Sequence, residues 1–358
     1  MKKISIIGIV GIPASYGGFE SLVENLTRFS SDDIDYQVYC SSKQLPTRLE
    51  HHNGATLKYI PLKANGIQSV AYDIVSIMHT LKTKPDVILV LGVSGAIIFP
   101  IFKLFSRSKI ITNIDGLEWR REKWGKFARL FLKFSEYIAI KFSDVIITDN
   151  QALSDYVYSK YNLRSEVIAY GGDHAISVDE LLEPTGTDYF LHDDEEFFLS
   201  ICRIEPENNI HLILDSFTKT EKKIKFIGNW NSSEYGRALV EKYNHFSNIE
   251  LINPIYDIKL LYQIRMSCSG YLHGHSAGGT NPSLVEAMHF GKPIYAFDCS
   301  FNRFTTEGQA FYFTDSDNLV QLLNDPQLKI YENSAAMQEI AERRYTWQII
   351  TSQYESLY

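Results

Sequence analysis

The chain has 358 residues, 45% of them hydrophobic and 22% charged, enough for two domains that each bury a core. A formal net charge of −8 excludes the dominant basic surface of a nucleic-acid binder, so no nucleic-acid partner is expected. Four scattered cysteines (Cys40, Cys202, Cys268, Cys299) form no C-x-x-C pair and read as thiols of a reducing compartment.

The first apolar run, residues 4–9, is too brief for a signal peptide and no clean cleavage site follows, so it reads as a buried strand. A glycine-rich loop comes next, from Gly8 through Gly11 and Pro13 to Gly17, Gly18 and Glu20, and a helix is expected over 18–29. Backbone N–H groups at a strand-to-helix turn favour an anion, and Gly17 and Gly18 permit close backbone approach. The G-x-G-x-x-G spacing of a dinucleotide site is absent, and the next expected strand, 36–40, leads into Ser41-Ser42 rather than a ribose-binding acid. The loop is expected either to touch a diphosphate or an acceptor, or to be an ordinary turn.

Further strands are expected at 56–60, 87–91, 110–114, 145–148 and 166–169. The apolar stretch 87–102 is broken by Gly92, Ser94, Gly95 and Pro100, whereas a spanning helix needs about 20 apolar residues. It reads as strand, turn and buried helix. After the strand at 110–114, Asp115 or Glu118 would orient an acceptor hydroxyl or hold sugar hydroxyls; the plain alternative is a cap before a glycine turn. Trp119, Arg120, Arg121, Lys123 and Trp124 open a basic, aromatic segment that runs into a helix expected over 124–142. In an acidic protein this points to an anionic membrane surface, or else to an amphipathic helix packed on the core with a solvated basic face. At Tyr170-Gly171-Gly172-Asp173 the pattern breaks into an acidic stretch, which places the first domain at 1–172.

The second domain, drawn as 173–338, restarts the alternation with strands at 197–202, 224–227, 249–252, 270–273 and 293–297. Arg203 stands at the end of the first of these, placed to fork onto a diphosphate or to pair with Glu205 or Glu207. The strand at 270–273 leads into a small, polar loop, Gly274-His275-Ser276-Ala277-Gly278-Gly279-Thr280. Asn281 as cap and Pro282 at the first helical position start the next helix, and the loop offers N–H groups to phosphates. Glu286 lies on an otherwise apolar helix face and needs a partner, either ribose hydroxyls or a structural group. His273 and His275 point to one side at i, i+2, but no third ligand is close and no metal is assigned. Two D-x-D tripeptides, starting at Asp33 and Asp315, are set aside as a surface approach to a strand and a helix cap.

These segments resemble the retaining glycosyltransferases of family 4 over nearly the whole chain. The family's G-R-x-x-x-E-K-N element matches Cys202 to Asn209, its E-x7-E element ends at Glu286, and 143–148 looks like its last N-domain strand. The tail from Tyr345 is similar to its closing helix, drawn as 339–358. The resemblance implies the α/β GT-B fold: two Rossmann-like, doubly wound domains facing a cleft, with the C-terminal helix returning to the first. It implies a nucleotide-sugar donor held by Gly17, Gly18, Arg203, Asn208, Gly278, Gly279, Thr280, Asn281 and Glu286. Arg203, Asp115, Glu118 and His275 form the expected catalytic set, with retention by front-face attack.

Two positions depart from the family pattern. Asn208 stands where a lysine is usual, and Gly278 replaces the first glutamate, leaving its contact with sugar hydroxyls to backbone or to His275. A subgroup of bacterial polysaccharide rhamnosyltransferases shares both departures. The chain is similar to it in G-I-P-A-x-Y-G-G-F-E, D-G-L-E-W-x-R and H-S-x-G-G-T-N-P-S-L-V-E-A-M. That likeness implies a dTDP-β-L-rhamnose donor (or a UDP-linked one), a polyprenyl-diphosphate-linked saccharide acceptor, and no cofactor or catalytic metal. The expected location is cytoplasmic, peripheral on the inner face of the bacterial cell membrane. Two rivals remain: a sugar-nucleotide 2-epimerase of the same fold, and a non-catalytic glycan-binding subunit.

Overall fold

The computed structural model describes residues 1–14, 17–45, 47–66, 68–114, 116, 119, 125–177 and 196–358. It divides into two compact units, 1–169 with 347–358, and 170–346.

In the first unit, strands β1 (Lys2–Ile7), β2 (Ile34–Ser41), β3 (His51–His52), β4 (Ala55–Ile60), β5 (Val87–Leu91), β6 (Lys109–Asn113), β7 (Val145–Thr148) and β8 (Glu166–Val167) form one sheet. Its order is β3-β4-β2-β1-β5-β6-β7-β8, and every pairing is parallel except that of β3 with β4. Helices α1 (Gly18–Arg28), α2 (Gln68–Thr83), α3 (Phe99–Phe105), α4 (Lys126–Phe142) and α5 (Gln151–Tyr161) connect the strands. Val-Ile-Leu-Val-Leu of β5 is buried throughout, as a parallel strand covered on both faces must be. One core cluster packs Ile7, Ile88, Val90 and Ile110 against Tyr72, Phe99 and Phe102.

The second unit repeats the plan with β9 (Phe197–Ile201), β10 (Lys223–Ile227), β11 (Ile249–Ile252), β12 (Gly270–His273), β13 (Ile294–Phe297) and β14 (Phe311–Phe313). The order is β11-β10-β9-β12-β13-β14, all parallel. Its helices are α6 (Ile210–Phe217), α7 (Glu234–Tyr243), α8 (Ile258–Ser267), α9 (Pro282–Met288), α10 (Ser300–Thr305), α11 (Ser316–Asn324) and α12 (Ile330–Arg344). Phe198, Phe217, Phe226, Trp230 and Tyr295 dominate its core.

Each sheet reverses its winding once, between β1 and β5 in the first unit and between β9 and β12 in the second. Ligands of doubly wound sheets bind outside the strand C-termini at such reversals, so these two places position any site.

Three differences from the sequence reading have physical causes. Strand β1 stops at Ile7 because Gly8 turns to φ 106°, where a Cβ would come within 2.0 Å of the Leu91 carbonyl oxygen. Strands β3 and β14, of two and three residues, are too short to carry a visible alternation. The boundary drawn at 338/339 falls inside α12, which packs on α9, and the chain joins the first unit only from Trp347. The closing helix α13 (Trp347–Ser356) is tied there: Asn113 Nδ2 donates to the Tyr354 hydroxyl at 2.8 Å, and Lys2 Nζ to the Tyr358 carbonyl at 2.6 Å. Among the described residues, no helix is long and apolar enough to cross a membrane.

Candidate functional site

The reversal in the second unit brings together the segment after β9, with Arg203 and Asn208, and the loop from β12 to α9. Short hydrogen bonds clamp the two. Ser276 donates to the Glu207 carbonyl from its backbone at 2.9 Å and from Oγ at 2.8 Å, and Asn209 Nδ2 donates to the Gly274 carbonyl at 2.9 Å. Gly274 is required by this contact, since a Cβ there would sit 2.1 Å from the Asn208 carbonyl oxygen. Asn302 Nδ2 holds the His275 carbonyl from the other side at 2.8 Å.

Asn208, at the position of the usual lysine, is buried and fully engaged. Its Nδ2 donates to the Arg203 carbonyl at 2.6 Å, and its Oδ1 lies 2.6 Å from His275 Nδ1. With Nδ2 fixed as the donor to a carbonyl, Oδ1 must accept, which assigns a proton to His275 Nδ1 and leaves Nε2 at the opposite edge of the ring. Gly278 lies beside that nitrogen. Its φ is 114°, and a Cβ there would approach His275 Nε2 to 3.0 Å. The imidazole thus occupies the ground a side chain at 278 would need, and the two departures from the family pattern form one arrangement.

Arg203 is exposed at the mouth of the site, with its Nη1 3.7 Å from Glu205 Oε1. Gly279 is half-buried and Thr280 buried. Asn281 caps α9 by accepting from the Ser283 N–H at 3.0 Å, and Pro282 takes the first helical position. His273 is buried, with no hydrogen-bond partner for Nε2 among the described residues. Burial first, then the neighbouring His275, hold its pKa well below the ordinary imidazole value.

Glu286 has the partner its apolar surroundings demand. Arg265 of α8 reaches Oε2, and His174 Nε2 lies 3.3 Å from Oε1. Burial alone would raise the Glu286 pKa, but the Arg265 and His174 contacts outweigh it and bring it down to about 2. An ionised carboxylate accepts about four hydrogen bonds, so this pairing leaves capacity for ribose hydroxyls. The sequence reading missed both partners. The signal lay in Arg265 itself, a cation in the Ile-Lys-Leu-Leu-Tyr-Gln-Ile-Arg run of α8 whose neighbours Leu260 and Ile264 are core.

The glycine loop of the first unit has a different character. The Val10 N–H donates to Glu20 Oε1 and the Ala14 N–H to Glu24 Oε2, each at 3.0 Å. Gly17 (φ 130°) makes room for the Glu20 carboxylate, which a Cβ at 17 would meet at 2.0 Å. Two backbone amides of the loop are therefore taken by the chain's own carboxylates, while its expected contact with a diphosphate or an acceptor rests on Gly17 and Gly18. Gly18 begins α1.

Asp115, Glu118, Arg120, Arg121, Lys123 and Trp124 lie outside the described residues. Trp119 is described, and its indole donates to buried Glu136 at 2.9 Å, with Lys133 4.2 Å from the ring centre. Its polar edge is thus turned to the protein. Among the described residues, no group of three or more His, Cys, Asp or Glu side chains is placed to hold a metal.

Residues 187–343 match the family of glycosyl transferases group 1. That match falls on the second unit. Residues 1–173 match a domain of unknown function, DUF1972, and no curated protein matches the chain. Among solved structures, sucrose-phosphate synthase of Thermosynechococcus elongatus superposes with a TM-score of 0.80 at 15% identity, over 100% of this chain and 98% of its own. HepE of Anabaena, solved with UDP and with UDP-glucose, gives 0.73 at 16% identity over 100% and 99%. MnaA of S. aureus, solved with UDP, gives 0.63 at 15% over 99% and 95%. The matched segment thus lies in a chain of two parallel-sheet, Rossmann-like units with the GT-B fold. Together the domain and the fold support a glycosyltransferase.

Proposed function

We propose that the protein transfers L-rhamnose from dTDP-β-L-rhamnose, with retention, onto a polyprenyl-diphosphate-linked saccharide in the synthesis of a bacterial cell-surface polysaccharide. The observation that carries the reading is the junction of Arg203, Asn208, His275 and Gly278 at the reversal of the second sheet. HepE and MnaA, of the same fold, were solved with UDP, and HepE also with UDP-glucose, which supports a nucleotide-sugar donor here.

In this reading Arg203 leaves Glu205 to fork onto the donor diphosphate, and the amides of Gly278, Gly279 and Thr280 add N–H donors that offset charge on the leaving group. Glu286, kept ionised by Arg265, accepts from the ribose hydroxyls. His275, held through Nδ1 by Asn208, turns its ring edge to a sugar hydroxyl, the part a carboxylate plays in the wider family. A 6-deoxy sugar has one hydroxyl fewer to hold, which suits the replacement. The base lies near residues 253–257, and Asp115 or Glu118 orients the acceptor. Front-face attack lets the departing phosphate take the acceptor proton, with no metal required. The enzyme works on the cytoplasmic face of the membrane, where a polyprenyl acceptor is anchored.

The test is transfer from dTDP-L-rhamnose to a polyprenyl-diphosphate saccharide in detergent, followed by mass. The expected gain is one deoxyhexose, and the product should keep the anomeric configuration of the donor. Conversion of the donor without acceptor would instead establish an epimerase. Binding of glycan without nucleotide would establish a non-catalytic subunit.

A further inference from the structure

Helix α4 is apolar on two faces. Its inner face buries Leu132, Ala139 and Ile140, as folding requires. Its outer face carries Phe127, Leu130, Phe134 and Tyr137, all exposed, Phe127 to 90%. At 100° per residue these four fall within an arc of about 80°, a single stripe along the helix. Helix α3 packs on α4 and adds Leu104 and Phe105, exposed to 78% and 72%. Folding gives no reason to keep six large apolar side chains in water on two adjoining helices, and patches of this kind mark a docking surface.

We propose that this face of α3 and α4 docks onto an anionic lipid bilayer. Charge selects the partner. The two helices carry five basic residues, Lys103, Lys126, Arg129, Lys133 and Lys141, and one acid, Glu136, in a chain whose net charge is −8. Glu136 is buried beneath the face, held by Tyr156 at 2.8 Å, Tyr161 at 2.5 Å and Lys160 at 3.1 Å, so it presents no charge outward. Of the five cations, Lys103 is partly neutralised by Asp144 at 2.8 Å, Arg129 is half-buried on the inner side and Lys133 lies 4.2 Å from the Trp119 ring centre, so Lys126 and Lys141 are the exposed cations beside the stripe. A second copy docked by the same face would oppose lysines to lysines across a two-fold axis, whereas anionic headgroups favour them. Aromatic and leucine side chains reaching the acyl boundary, flanked by exposed lysines at headgroup depth, match the chemistry of an interfacial helix. Each exposed Lys or Arg near such a surface contributes on the order of 1 kcal/mol of attraction, which salt screens.

The inference gives the lipid-linked acceptor reading its membrane surface, and its test is independent of transfer. The full chain is sedimented with phosphatidylcholine vesicles, with and without phosphatidylglycerol, alongside the double variants Phe127→Ser/Phe134→Ser and Lys126→Glu/Lys141→Glu. Wild type is expected to bind the anionic vesicles and to release them as salt rises. Each double variant is expected to lose on the order of tenfold or more in affinity, with its melting temperature unchanged because the altered side chains are exposed. Three results would overturn the proposal: no binding of wild type to anionic vesicles, equal binding by the phenylalanine variant, or a wild-type dimer that this variant dissociates. Vesicle binding without any nucleotide-sugar binding would instead leave the surface standing and remove the proposed function.

Discussion

The two units wind their sheets alike, yet their reversals carry opposite chemistry. In the first unit the loop after β1 is filled from within by Glu20 and Glu24, and the segment after β5 faces buried Asp73. Asp73 has a hydroxyl partner, Ser94, and no cation is among the causes of its shift; burial outweighs the hydroxyl and pushes its pKa up to about 7. In the second unit Glu286 is only partly withdrawn from water, and Arg265 and His174 bring its pKa down to about 2. The lesson is that topology supplies the place and charge decides the use. The second reversal keeps a solvent-facing guanidinium and a fixed imidazole; the first has its loop amides Val10 and Ala14 satisfied by carboxylates.

The largest expected effect separates the two sites directly. Arg203→Ala should lower kcat/KM for the nucleotide sugar by about a hundredfold or more, roughly 3 kcal/mol, as loss of one donor to developing charge does. Glu20→Gln in the first unit should leave nucleotide affinity within about twofold, measured by titration calorimetry. Equal losses in both variants would erase the contrast.

Next in size is Glu286→Ala, which strands the buried Arg265 and should destabilise the fold by on the order of 3 kcal/mol in urea unfolding. The pH dependences of the two carboxylates run in opposite directions. The Glu286 pKa is depressed in the folded protein, so its contribution is full above about 4.5 and is lost as pH falls towards 2. That of Asp73 is raised, so its contribution is most favourable below about 4 and is lost as pH rises to 7. Asp73→Asn should therefore stabilise the protein by on the order of 1 kcal/mol at pH 7 and flatten the stability profile between pH 4 and 7. A variant whose profile overlays that of wild type would contradict the assignment. The smallest effect belongs to Gly278→Ala. It places a Cβ at φ 114° beside His275 and should cost about 1 kcal/mol of stability while weakening sugar binding more than nucleotide binding.

Much of this was legible in the residues. The alternation gave both sheets, because parallel strands are short apolar runs, and the Asn281-Pro282 pair marked the start of α9 because capping is local. The position of Arg203 followed from the end of one strand. What stayed hidden depends on contacts distant in sequence. Arg265 and Glu286 are 21 residues apart, and Asn208 and His275 are 67 apart. The outer face of α4 was legible only in part. The basic, aromatic character of the segment was visible in the sequence, but which of its apolar side chains stay exposed depends on how the helix packs.

The central claim is that the second unit binds a nucleotide sugar through Arg203, and calorimetric titration of dTDP-L-rhamnose and dTDP into wild type and Arg203→Ala tests it most directly. The account predicts saturable binding of both ligands by wild type, tighter for the sugar nucleotide, and about tenfold or more weaker binding of both by the variant. No binding by wild type, or equal affinity in the two proteins, would contradict it.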